Sequence, residues 1–163
     1  MDNTLSFVIG NESIIDEVEE LWEELNKYHL EKSIDFKNHY KTFTFQIRKE
    51  KLIPYTEKGN LFLIIAKIKK KKVGYCIASV KENIGEIDSI YVKPRYHGGD
   101  IGKILIKKSL NWIKSKNVEK IIVNISIGNE EVFDFYSQYG FKPRLTQLEI
   151  VSKNTKNGLN YEF

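Results

Sequence analysis

The stretch from Glu86 to Ile125 constrains the fold of this chain most. It reads as a strand pattern (Glu86 to Val92), a glycine-rich turn, an amphipathic helix pattern and a second strand pattern (Ile121 to Ile125). Two strands joined through a helix of this length lie parallel, with a right-handed crossover. The helix pattern places Ile101, Leu105, Trp112 and Ile113 on one face, with Lys103, Lys107, Lys108 and Lys114 elsewhere. The turn, Tyr96-His97-Gly98-Gly99-Asp100-Ile101-Gly102-Lys103, falls beyond the carboxyl end of a parallel strand, where ligands of open α/β sheets bind. Its three glycines let the backbone approach a ligand closely. The N–H groups of Gly98, Gly99, Asp100, Ile101 and Gly102, at a helix start, suit a diphosphate. An ordinary strand-to-helix turn capped by Asp100 is the plainer reading of the same residues.

The remaining elements are built around that unit. Leu5 to Ile9 reads as a first strand. Ser13 with Asp16 approximates a capping box ahead of the helical stripe Ile14, Ile15, Val18, Leu21, Trp22 and Leu25. A second helix is expected from about Asp35 through Phe36, Tyr40, Phe43 and Ile47. Leu61 to Ile68 and Val73 to Val80 read as strands joined by a turn at Lys69 to Lys72. In the next strand, alternation breaks between Ile87 and Ile90, which predicts a β-bulge near Asp88-Ser89. A last helix, about Glu130 to Tyr139, should bury Val132, Phe133 and Tyr136 and end at Gly140. Leu145 to Val151 and Leu159 to Phe163 read as a closing antiparallel hairpin around Asn157-Gly158. The expected fold is α/β: one domain over residues 1–163, with a mixed sheet of six to seven strands, a parallel pair in its middle and about four helices.

Composition excludes several functions. A net charge of +4 is too mild to imply nucleic acid without a focused patch. Lys67, Lys69, Lys70, Lys71 and Lys72 concentrate at one hairpin, read as a solvated tip, with an acidic partner as the lesser reading. The single Cys76 excludes an intramolecular disulfide and fits a reducing compartment. Met1-Asp2-Asn3-Thr4 lacks a signal-peptide layout, and no apolar run approaches the roughly 20 residues of a bilayer span. A cytoplasmic protein with no membrane and no nucleic-acid partner is therefore expected. No His/Cys cluster has metal-ligand spacing, so no metal is expected. Gly102-Lys103 is followed by Ile104 rather than Ser or Thr, which rules out a phosphate-binding loop of the Walker type. The strand after the turn ends Asn124-Ile125-Ser126 without the acid that a dinucleotide fingerprint wants.

Two motifs carry a family resemblance. His97-Gly98-Gly99-Asp100-Ile101-Gly102 is similar to the Arg/Gln-x-x-Gly-x-Gly/Ala turn of the GNAT superfamily of N-acetyltransferases, with Val92 to Tyr96 as its lead-in. Asn129 through Tyr136, with Gly140-Phe141, resembles the family's Asn…Tyr…Gly-Phe signature at the matching separation. The residue-level match covers about Glu86 to Phe141. It departs at His97, where the family has Arg or Gln, and at Asp100, which replaces a glycine and adds a like charge beside a diphosphate. Arg95, Lys103, Lys107 and Lys108 could offset that charge.

The resemblance implies acetyl-CoA as donor and direct attack by a primary amine. It implies a cofactor site formed by Ile90, Tyr91, Val92, His97, Gly98, Gly99, Asp100, Ile101, Gly102, Lys103, Asn129 and Tyr136. A backbone N–H near Ile90 to Val92, freed by a bulge or splayed strand, is placed to polarise the thioester oxygen. Tyr136 occupies the general-acid position. Glu86, or less readily Asp88, is placed to take the proton of the arriving ammonium. His29 and His39 fall where the family shapes its acceptor pocket. The acceptor is a small-molecule or protein amine, and a homodimer is possible. A non-catalytic module that keeps acyl-CoA is the alternative implied by His97 and Asp100.

Overall fold

The computed structural model describes residues 4–151, 153–155 and 158–160. Five strands make the main sheet: β1 (Leu5–Gly10), β2 (Leu61–Ile68), β3 (Lys71–Lys81), β4 (Ile84–Val92) and β5 (Lys120–Val123), in that spatial order. The first four run antiparallel to their neighbours, and β4 pairs with β5 in parallel. The hairpins turn on Lys69-Lys70 and Glu82-Asn83, whose positive φ values suit tight connections between twisted strands. Among the described residues β5 has no further neighbour in this sheet. The parallel pair therefore lies at an edge and not in the middle of six to seven strands.

The helices are α1 (Glu19–Lys32), α2 (Lys37–Thr42), α3 (Phe45–Thr56), α4 (Ile101–Ser115) and α5 (Phe133–Ser137). A 3-10 segment, Glu12–Val18, leads into α1, and its cap is Asn11, whose side chain accepts from the Ser13 N–H at 3.2 Å. Asp16, expected to close a capping box, instead pairs with Lys49 on α3 at 2.6 Å. The second expected helix divides into α2 and α3 because Thr44, in extended conformation, caps a new start by accepting from Ile47 N–H. Among the described residues the α-helices thus number five.

Both faces of the sheet are covered, which explains the unbroken apolar run of β2. Leu61, Leu63 and Ile65 face Leu21, Trp22 and Leu52 of α1 and α3. Phe62, Ile64 and Ala66 face Leu105, Ile106 and Ile113 of α4. Cys76 lies fully buried in the second of these cores, where desolvation pushes its thiol up to about 12.

The C-terminal expectation fails in part. β6 (Lys153–Thr155) and β7 (Gly158–Asn160) form a separate two-stranded ladder. Residues 141–150 have no regular structure, and Leu145, Leu148, Ile150 and Val151 are all exposed. Asn157 and Phe163 lie outside the described residues. In the last helix Tyr136 is buried but Phe133 is 40% exposed, because the first turn is 3-10 (Glu130–Val132) and shifts the buried face. Gly140 closes that helix as expected. It takes a φ of +89°, its N–H reaches Ser137 O, and Phe141 N–H reaches Tyr136 O.

Candidate active site

The site grows from a defect in β4. Opposite β3, Ile77 pairs with Ser89 and Ala78 with Ile87, so Asp88 is the extra residue of a bulge, at the position where alternation breaks. On the other side, β4 pairs with β5 only from Ile84 to Ile87. Beyond that point the two parallel strands part, leaving the edge of Asp88 to Val92 open. Lys93 N–H donates to Val73 O on β3, so alternation turns the N–H groups of Ile90 and Val92 toward the open edge.

Two cavities meet at this gap. The first, of about 410 Å³, is bounded by α1 and α2 on one side and by Glu86, Asp88, Asn124 and Tyr136 on the other. The second, of about 510 Å³, runs along Ile90, Tyr91 and Val92 to the turn at His97, Gly98, Gly99, Gly102 and Lys103. Leu25, Ile90, Asn129, Val132 and Phe135 belong to both walls, so the two form one passage. Tyr91 hydroxyl donates to Glu24, and Lys93 pairs with Glu20 and Glu24, which hold α1 over the gap. Tyr28 hydroxyl donates to Glu131, and Tyr40 hydroxyl donates to Ser126 Oγ at 2.9 Å, joining α1 and α2 to the chain after β5.

The turn leaves backbone donors unpaired. Gly98 takes a φ of +80°, and within the described residues no hydrogen bond engages the N–H groups of Gly98 and Gly99. Asp100 stands at the cap position of α4 but makes no side-chain cap, so the first N–H groups of the helix stay free. Its carboxylate turns instead to Lys103 Nζ at 3.3 Å, where a cation screens the charge that the family lacks. His97 Nε2 bonds Val92 O at 2.6 Å. Of the expected cofactor residues, Ile101 packs into the core and Asp100 lies off the cavity wall. Tyr136 lies in the first cavity and not in the second.

The first cavity carries the titratable groups. Tyr136 is 6% exposed, and burial pushes its hydroxyl well above the ordinary tyrosine range, so it keeps its proton. Glu86 Oε1 accepts from Asn124 Nδ2 at 2.8 Å. Asp88 has a side chain only 7% exposed. Burial pushes its carboxyl up to about 6, opposed by Arg48 and by Ser79. Arg48 Nη2 donates to Asp88 O at 3.0 Å and stands 3.6 Å from Oδ1. Among the described residues the buried side-chain atoms without a partner are Asp88 Oδ2 and His29 Nδ1, and both residues line this cavity. Burial lowers His29, which favours its neutral form. Sequence reasoning placed His29 and His39 near the acceptor but did not bring Arg48, Tyr40 or Ser126 to the site. Only the fold brings residues so far apart in the chain together.

The molecule is thus a mixed α/β protein whose parallel strands splay beside a glycine turn and a buried tyrosine. The model of the acetyltransferase (GNAT) family matches residues 18–141, well over half the chain. The chain belongs to that family. A Bacillus subtilis (strain 168) protein provisionally named [ribosomal protein bS18]-alanine N-acetyltransferase is 24% identical over 86 residues, 53% of this chain and 57% of that protein. The glucosamine 6-phosphate N-acetyltransferase of Trypanosoma brucei brucei is 31% identical over 67 residues, covering 41% of this chain and 44% of that one. The chain thus spans only about half the length of these relatives. PaiA N-acetyltransferase from Thermoplasma acidophilum, solved with coenzyme A, matches at TM-score 0.70 and 18% identity, covering 88% of this chain and 93% of that one. An aminoglycoside acetyltransferase from an uncultured soil metagenomic sample, solved with sisomicin, matches at TM-score 0.64 and 18% identity, covering 93% and 99%. At such identities the structures share the fold.

Proposed function

We propose that this N-acetyltransferase moves an acetyl group from acetyl-CoA to a primary amine by direct attack in a ternary complex. The observation that carries the reading is the single passage in which a donor-shaped half and an acceptor-shaped half meet at Ile90 and Asn129. The open edge of β4, the free N–H groups of the turn and the Lys103 charge fit an amide-rich arm ending in a diphosphate. Acetyl-CoA, when bound, supplies an activated thioester. Ile90 and Val92 N–H groups pair with the arm and stabilise negative charge developing on the thioester oxygen. Gly98, Gly99 and the first turn of α4 hold the diphosphate, and Asn129 contacts the arm. Glu86 accepts the proton of the ammonium, directly or through water, and Tyr136 donates its hydroxyl proton to the departing sulfur.

Relatives named for a ribosomal-protein alanine and for a phosphorylated amino sugar leave both protein and small-molecule amines open as acceptors. We place the protein in the cytoplasm, where the buried Cys76 thiol stays reduced, with a homodimer as one possible assembly. Calorimetry with acetyl-CoA, paired with Tyr136→Phe kinetics, tests the reading. Acetyl-CoA should bind, and the variant should lose about 10²-fold or more in kcat with its acetyl-CoA affinity retained. Binding without turnover on any amine would favour the non-catalytic acyl-CoA module. Unchanged kcat would remove Tyr136 from the chemistry.

A further inference from the structure

The acceptor half of the passage is more specific than a general amine site. Its helical wall is aromatic: Trp22 packs on Phe43 with ring centroids 5.6 Å apart, His39 stacks on Phe43 at 5.4 Å, and His29 lies against Tyr40 at 5.7 Å. Several of the polar side chains around it are already engaged with the protein. Asn26 donates to Tyr40 O, Tyr40 to Ser126 and Asn124 to Glu86, while Ser89 is bonded to Tyr75. Arg48, the one cation on the wall, is committed to Asp88. Two buried atoms are left over: Asp88 Oδ2 at the sheet and His29 Nδ1 on α1. Orphaned buried polar atoms cost free energy unless a ligand completes them.

We infer that the acceptor is a compact primary monoamine with an apolar or aromatic body, whose ammonium is held by the Asp88 carboxylate and whose body lies against Trp22, Tyr40 and Phe43. This rests on the transferase reading and names the substrate class of that same site. An ammonium supplies the donors that Asp88 lacks, and the aromatic faces favour a flat or branched hydrocarbon body. A burial-neutralised His29 accommodates one further polar group on the acceptor. A phosphorylated amine finds no free cation here. A large polyhydroxylated or polycationic amine has to fit a space of about 410 Å³.

The test is an acceptor panel at saturating acetyl-CoA: phenethylamine, tyramine and isoamylamine against spermidine, kanamycin, glucosamine 6-phosphate and an alanine-ended peptide. Direct calorimetric titration of phenethylamine runs beside it, with phenylethanol as the uncharged control. The expected result is a kcat/KM for the monoamines at least roughly tenfold above every other acceptor, and no binding of phenylethanol. Asp88→Asn should weaken phenethylamine binding at least roughly tenfold while leaving acetyl-CoA affinity unchanged. Preference for any of the other four acceptors, or equal phenethylamine binding in Asp88→Asn, overturns the inference. Loss of acetyl-CoA binding in the unmodified protein would instead sink the transferase reading, and the amine titration would still stand alone. Acetyl-CoA binding with no monoamine binding would overturn the substrate class alone.

Discussion

Asp88 shows how far single residues could be read. The break in alternation marked the bulge that excludes it from the β3 ladder, so its unusual position was legible. Its environment was not, because Arg48 stands 40 residues away in sequence and meets it only across the fold. Its energetics can be checked. Asp88 is surrounded by Arg48 from α3, Ser79 from β3 and Glu86 from its own strand, yet desolvation wins and raises its carboxyl from 3.8 to about 6. In the unfolded chain the group ionises first. Stability contributed by the neutral folded form is therefore lost as pH rises from about 4 to about 6, and stays lost above that. Asp88→Asn has no proton to lose. Denaturant unfolding without ligand should show the variant gaining on the original protein by roughly 2–3 kcal/mol between pH 4 and pH 8. A difference that does not change with pH would mean the buried carboxylate carries no such penalty. Tyr136 was legible in another way. Its motif neighbours pointed to it, whereas periodicity alone would have made it a core aromatic, and it is indeed buried as well as lining the first cavity.

At the scale of elements, the βαβ unit was the most readable part because its signal is local: a strand, a turn and a helix in unbroken sequence. α4 buries Ile101, Leu105 and Ile113 of its expected face, while Trp112 is half-buried and stacks on Phe62. The helices before β2 were less readable. Thr44 restarts the helix within an apolar pattern that continues through it, and Asn11 outcompeted Ser13 for the cap. What fixes α4 against the sheet is a missing side chain. A Cβ placed on Gly85 would come within 2.1 Å of Ile113 Cγ2, which belongs to a fully buried, β-branched residue with nowhere to retreat. Gly85→Ala should destabilise the protein by about 1–3 kcal/mol. It should also weaken acetyl-CoA binding, since α4 carries the glycine turn on its first residue and must shift outward. Chemical denaturation and calorimetry on the same preparation would read both effects. A fully stable variant would show that the helix does not rest on that contact.

For the whole molecule, the sheet ends on an incomplete edge. β5 is only four residues long, pairs with β4 alone among the described residues, and offers its far side to any strand of suitable pattern. The same chain carries an apolar segment, residues 145–151, that forms no strand. Leu145, Leu148, Ile150 and Val151 are 70%, 91%, 55% and 52% exposed, in the segment that reads from sequence as a closing strand. That reading rested on local pattern, and pattern does not say which edge a strand completes. Pairing this segment with β5 of a second copy would satisfy both at once: free backbone groups on one side, solvent-exposed apolar side chains on the other. This is the physical content of a homodimer, and it would place the exchange beside Val123 and Asn124 on the wall of the first cavity. Sedimentation equilibrium should therefore give a dimer at micromolar concentration. Leu148→Lys with Ile150→Lys should shift it to monomer, because two charges cannot be buried unpaired at that edge. A protein that stays monomeric at every concentration would leave β5 an exposed edge and the dimer reading without support.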